Sequence, residues 1–161
     1  MLSGIRKQFG KLAKTKPELH FIADKPNTFF RFGETLSGHL KLTFPQSTNT
    51  TSLVAKLEGI ELDFTNQLIA GFERVKYQIS EGKNSRDFYN KRTLLDLEQT
   101  LWKGTKPRQF LPKSYDFPVK FTLPATLPPS IETSHSNGNN KVNYRLKVYT
   151  DQENWYCSVY F

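Results

Sequence analysis

A chain of 161 residues with 37% hydrophobic and 14% aromatic content has the size of one domain that can bury its own core. No apolar run approaches the roughly 20 residues of a bilayer-spanning helix, and a single cysteine, Cys157, excludes an internal disulfide. The net charge of +8 is uneven: residues 1–16 hold Arg6, Lys7, Lys11, Lys14 and Lys16 with no acid, which leaves only +3 on the body and argues against a surface built to track nucleic acid.

The N-terminus is basic but lacks the continuous apolar stretch of a signal peptide, so a cytosolic setting is expected. In that setting the acceptor sequence Asn49-Thr50-Thr51 meets no glycosylation machinery. Leu2, Ile5, Phe9 and Leu12 recur at spacings of three and four, which gathers them on one side of a helix, while Arg6, Lys7, Lys11 and Lys14 fall on the other. Gly4 and Gly10 weaken that helix by about 1 kcal/mol each. The segment reads either as a solvated or docked tail or as a basic amphipathic contact with an anionic phospholipid surface or a partner.

From Pro17 the period becomes two. Leu19, Phe21 and Ala23 alternate with His20, Ile22 and Asp24, then Lys25-Pro26-Asn27 supplies a turn before residues 29–32. Leu40, Leu42 and Phe44 form the next alternating run, and residues 45–52 form a polar loop. Residues 53–64 read as a bent strand, with Leu53, Ala55 and Leu57 on one face and Ile60, Leu62 and Phe64 continuing it after a bulge at Gly59. On this pattern Glu61 and Asp63 belong to a solvated face. Residues 72–79 alternate weakly, residues 80–86 are a charged connection, and Leu94, Leu97 and Leu101 suit a strand or a short helix equally. A basic, proline-containing link over 103–114 follows.

Phe117, Val119, Phe121 and Leu123 alternate with polar residues until Pro124, Pro128 and Pro129, whose missing donors and fixed φ make the strand leave its sheet. Val142, Tyr144, Leu146 and Val148 form the returning strand, and Trp155, Cys157, Val159 and Phe161 a last one. The chain ends on a running apolar face, so a parent protein that continues into a second sandwich is expected.

The block 117–149, with its strand, double-proline corner and returning strand, resembles the end of the arrestin N-terminal domain. The pairs Gly33-Glu34 and Ser37-Gly38 ahead of Leu40 and Leu42 are similar to the opening of α-arrestin domains, and the aromatic and Leu-rich stretch 87–102 is similar to a later segment of them. The resemblance implies an all-β antiparallel immunoglobulin-like sandwich over 17–161, with residues 1–16 as a basic extension.

What the resemblance implies about function is binding. Arrestin-like proteins are cytosolic two-domain adaptors, and α-arrestins bridge membrane transporters or receptors to HECT-type ubiquitin ligases, promoting ubiquitination and endocytosis. Their ligase contact is a Pro-Pro-x-Tyr motif; Pro128-Pro129-Ser130-Ile131 lacks the tyrosine, so ligase recruitment would come from residues outside this chain. By position, Thr133, Ser134, His135, Ser136, Asn137, Gly138, Asn139 and Asn140 would form a cargo-facing loop, and Lys14, Lys16 and Lys25, near the first strand, would read phosphate on cargo. The rival readings are a structural arrestin-like subunit of a retromer-type sorting coat and, with a secreted chain and an aromatic platform, a carbohydrate-binding sandwich.

No cofactor is expected. His20, His39, His135 and Cys157 have no zinc-site spacing, and no G-x-S-x-G, P-loop or H-E-x-x-H occurs. Glu58, Glu61 and Asp63 could in principle supply paired carboxylates for glycoside hydrolysis, but their place along a strand favours an ordinary polar face.

Overall fold

The computed structural model describes residues 16–25, 31–65, 67–76, 88–135, 138–151 and 154–158. Nine strands carry these residues: β1 (Glu18–Ala23), β2 (Thr35–Thr43), β3 (Thr48–Asp63), β4 (Glu73–Lys76), β5 (Phe88–Phe110), β6 (Ser114–Thr122), β7 (Ile131–His135), β8 (Gly138–Tyr149) and β9 (Asn154–Ser158). Every pairing is antiparallel. The amphipathic segment 2–14 lies outside the described residues, as do residues 29–30 and 77–87.

Two sheets form the sandwich. One has the order β1-β2-β6; the other has the order β4-β5-β3-β8-β7, with β9 also on β8. Alternation on both sheets follows the sequence periodicity, because one face of each is covered by the other. Leu36, Leu40, Leu42, Val119 and Phe121 from the first sheet meet Leu53, Ala55, Leu57, Leu146 and Val148 from the second, and all are buried. Each fully buried leucine contributes roughly 1.5–3 kcal/mol.

Of the strand and the short helix that residues 88–101 suited, the strand forms, and most of the link expected over 103–114 is strand too, since β5 runs through Phe110 and β6 begins at Ser114. Helical spacing of the leucines arises from two bulges. Leu94 lies between partners of Gly59 and Ile60, and Leu101 between partners of Leu53 and Val54, so each is an extra residue in β5. Each bulge lets an additional leucine turn toward the core, and Leu94, Leu97 and Leu101 all pack against it.

Gly59 sits at one of these slips, but the face of β3 does not change there. Its register with β8 runs unbroken from Val54 opposite Tyr149 to Asp63 opposite Asn140. Ile60 and Leu62 therefore share the outer face with Lys56 and Glu58, and Asp63 turns inward, the reverse of the expected arrangement. A Cβ at Gly59 would stand 2.6 Å from the Tyr144 ring, so the small residue is needed for that ring to cross the strand.

The double-proline corner is present as expected. Leu123 is the last residue to bond toward β2, through Glu34 and Gly33, and the chain then turns away at Pro124. Tyr144 reaches back to hold the corner, donating from its hydroxyl to the Pro128 carbonyl at 2.5 Å. The corner is followed directly by β7, so the cargo-facing loop expected over 133–140 is instead a β-hairpin: Thr133, Ser134 and His135 pair with Asn140, Asn139 and Gly138. Polar, alternation-poor sequence concealed this strand, because β7 is held by main-chain bonds at a sheet edge and has little apolar surface to bury.

Candidate functional site

At the end of the sandwich where β3 finishes, the β7–β8 hairpin, the start of β5 and the connection 64–72 converge on Asp63. The side chain is only 5% exposed. Its Oδ1 accepts from the Thr65 amide at 3.0 Å, the Thr65 hydroxyl at 2.5 Å and Asn90 Nδ2 at 3.2 Å. Its Oδ2 faces the side-chain nitrogen of Asn140, which also reaches Asn139 O at 3.2 Å. Burial alone would raise this carboxyl, but the hydrogen bonds from Thr65 and Asn90 outweigh it and hold the group below its ordinary value. An acidic residue is thus kept ionised by neutral donors.

Asn90, itself 1% exposed, donates further to the Gln67 carbonyl at 2.7 Å, and the Phe64 amide donates to the Asn139 carbonyl at 3.0 Å. The hairpin and the 64–67 segment are consequently fixed to one another. Around them, Arg92 binds Glu61 through Nε at 3.0 Å and lies 4.7 Å from the Phe72 ring centroid, which anchors the far end of the connection. The described residues of this rim are thus joined to one another by hydrogen bonds.

A cleft of about 450 Å³ opens beside the hairpin, lined by residues 130–132 and 141–145. It marks a break in the edge of β8. On that edge β7 pairs as far as Val142 and β9 begins at Arg145, so Asn143 and Tyr144 lie between the two neighbours. Ile131 is 48% exposed at the mouth, and Glu132 and Lys141 face each other at 3.6 Å. Burial, with the nearby charge of Glu61, pushes the Tyr144 phenol up to about 12, so it remains a proton donor to Pro128. An apolar foothold beside charged groups suits a peptide segment better than it suits bond-making chemistry.

The residues singled out from sequence are not gathered at one place. Lys16 and Lys25 are exposed beyond opposite ends of β1, whose six residues span roughly 17–20 Å, so these two do not share a phosphate pocket. Lys14 and the amphipathic residues 2–12 lie outside the described residues, as do Ser136 and Asn137. Glu58 is buried rather than free: Arg145 Nε donates to it at 2.7 Å and Lys147 lies 3.8 Å away. Among the described residues no group of three or more His, Cys, Asp or Glu gathers as a metal site would, and no helix is long and apolar enough to cross a membrane. His20 and His39 lie on the outer face of the three-stranded sheet, near Glu18 and Asp24 at 3.9 Å each.

Asn90, Gln67 and Tyr144 were not marked by the sequence as site residues. A polar residue opening an apolar strand, as in Tyr89-Asn90, is the one local signal that Asn90 offered.

A family model described as "Arrestin (or S-antigen), N-terminal domain" matches residues 19–159. No curated protein matches. Among solved structures, the chain is similar to Spo0M, a sporulation control protein from Bacillus subtilis, at 14% identity and a TM-score of 0.47, over 90% of this chain and 49% of that one. The chain thus spans about half the length of that protein.

Proposed function

Since the chain belongs to the arrestin family, as an N-terminal arrestin domain over residues 19–159, we propose that it is the cargo-recognition half of a trafficking adaptor. In this reading it binds cytosolic tails or loops of membrane transporters or receptors. A HECT-type ubiquitin ligase, recruited through residues outside this chain, then ubiquitinates the cargo and commits it to endocytosis. The protein is cytoplasmic and works by binding, at the face of the plasma membrane or endosome.

One observation carries the reading. The β7–β8 hairpin is tied to the end of β3 by the Phe64 amide on the Asn139 carbonyl, Asp63 and Asn90 hold Thr65 and Gln67 beside it, and it stands next to a cleft with an exposed isoleucine at its mouth. A rim fixed before binding spares a flexible cargo tail the cost of ordering both partners.

The test is site-specific photo-crosslinking in cells, with the crosslinker at Ile131 or Asn139 and, as a control, at Thr122 on the opposite sheet. Cytosolic segments of membrane proteins should be captured from the first two positions and not from Thr122, and ubiquitination of the captured proteins should fall in cells lacking the adaptor. Equal capture from all three positions, or none of a membrane protein, would overturn the proposal.

A further inference from the structure

Cations on the described part of the molecule are compensated unevenly. On β3, β8 and the first part of β5 several are paired: Lys56 with Asp96 at 2.8 Å, Arg92 with Glu61, Lys141 with Glu132, and Arg145 and Lys147 with Glu58. Those at the far end of the sandwich from the hairpin are not. Between Gln99 and Tyr115 the sequence places Lys103, Lys106, Arg108 and Lys113 with no acid among them. All four are exposed, and among the described residues none has a carboxylate within 4.0 Å.

The fold explains why they stand clear. Ser52 pairs with Lys103 but Thr50 pairs with Arg108, so residues 104–107 leave the β3–β5 ladder as an extended bulge carrying Lys106. Arg108 is held over Phe110 at 4.7 Å, and Lys113 over Tyr115 at 5.1 Å. The turn joining β5 to β6 is clamped too. Tyr115 accepts the Leu111 amide at 2.9 Å, and Lys113 O accepts from Phe44 N at 3.1 Å. This turn presents Leu111, 50% exposed, between cations.

Lys16 joins the same end, because Glu18 at the start of β1 aligns with Thr43, and Thr43 with Ser114. The sequence before Lys16 adds Arg6, Lys7, Lys11 and Lys14, so its charge enters the fold here. Asp151, which accepts from the Thr50 hydroxyl at 2.7 Å, and Glu18 are acidic groups at this end.

From these placements we infer that this end of the sandwich is a docking surface for an anionic phospholipid bilayer. Lys16, Lys103, Lys106, Arg108 and Lys113 lie against the headgroups, and Leu111 enters the interface. Lys106 stands on a bulge flanked by Lys103 and Arg108, Lys113 on the neighbouring turn and Lys16 just before β1, an exposed spread of charge that fits a flat surface better than an acidic peptide, whose binding would call for a groove. An exposed leucine within a basic cluster adds the apolar contact by which interfacial segments supplement electrostatic attraction. Each well-placed cation strengthens attachment to an anionic surface about fivefold. Cargo recognition would then occur at the opposite end, with the hairpin directed at segments that extend from the membrane.

Sedimentation of the full 161-residue chain with vesicles of phosphatidylcholine, with or without phosphatidylserine, tests the inference. Binding should require phosphatidylserine and weaken at high salt. K103Q/K106Q/K113Q should reduce it by roughly 100-fold, and Leu111→Ser should reduce it at high salt as well as low. K41Q/K120Q, on the outer face of the three-stranded sheet, should leave it unchanged, and circular dichroism of each variant separates lost binding from lost folding. Undiminished binding by the triple variant, or equal loss in K41Q/K120Q, would overturn the inference. So would failure to bind these vesicles combined with salt-sensitive binding of polyglutamate, which would assign the surface to an acidic protein segment. No cargo is present in the assay, so a negative result leaves the adaptor reading standing, and a negative crosslinking result leaves this one standing.

Discussion

Phe44 closes one end of the core, stacked on Phe110 at 5.3 Å between ring centroids and met edge-on by Tyr115 at 5.7 Å and Trp155 at 5.6 Å. Such contacts add to simple burial, and the cluster also supports the strand ends on which Arg108 and Lys113 are displayed. Phe44→Ala should therefore cost about 3–5 kcal/mol in urea unfolding followed by tryptophan fluorescence, because the rings around it cannot collapse without moving three strands. Crowding should be felt where the backbone is approached most closely. Gly59→Ala places a methyl group against the Tyr144 ring and Leu95, and should lower stability by about 1–3 kcal/mol in the same assay. Phe44 was legible as a core residue from alternation alone. The role of Gly59 was legible only as a slip in pairing, since its other partner, Tyr144, is 85 positions away in the sequence.

Strands in this fold are joined across the sandwich by side chains that imitate backbone. Gln99, pointing inward from β5, donates through Nε2 to the Pro118 carbonyl at 3.0 Å and accepts the Lys120 amide at 2.8 Å. One amide thereby satisfies part of the free edge of β6, where Pro118 also places its missing donor without breaking the ladder to β2. Gln99→Ala should expose the Lys120 amide to faster hydrogen exchange and cost about 1–3 kcal/mol, while amides of β3, paired on both sides, keep their protection. Period-two alternation foretold β2, β6 and β8 directly, because each has one apolar face. It could not foretell β7, which is polar, or the course of β5, whose bulges mimic helical spacing.

At the scale of the whole molecule, buried ionisable groups tie stability to pH from both sides. Burial would raise the Glu58 carboxyl, but the hydrogen bond from Arg145 and the charges of Arg145 and Lys147 prevail, so its pKa, like that of Asp63, is lowered on folding. A lowered carboxylate contributes stability that is present above its unfolded value, near 4, and is lost as pH falls through the folded one. Thermal melts should accordingly decline below about pH 4, and Asp63→Asn should flatten that decline while destabilising the protein at neutral pH. Tyr144 behaves oppositely: raised to about 12, it contributes stability below an unfolded value near 10 that is lost between the two, and Tyr144→Phe should abolish that alkaline component. The sequence by itself determined an all-β chain, the double-proline corner and the family, since alternation and proline chemistry act between near neighbours. Only the tertiary structure decided that Asp63 faces inward, that polar residues 131–135 form a strand, and that Lys16 stands with Lys103, Lys106, Arg108 and Lys113. Those outcomes depend on the register between strands distant in sequence, which is set by packing of two sheets and by bulges whose position no local pattern specifies.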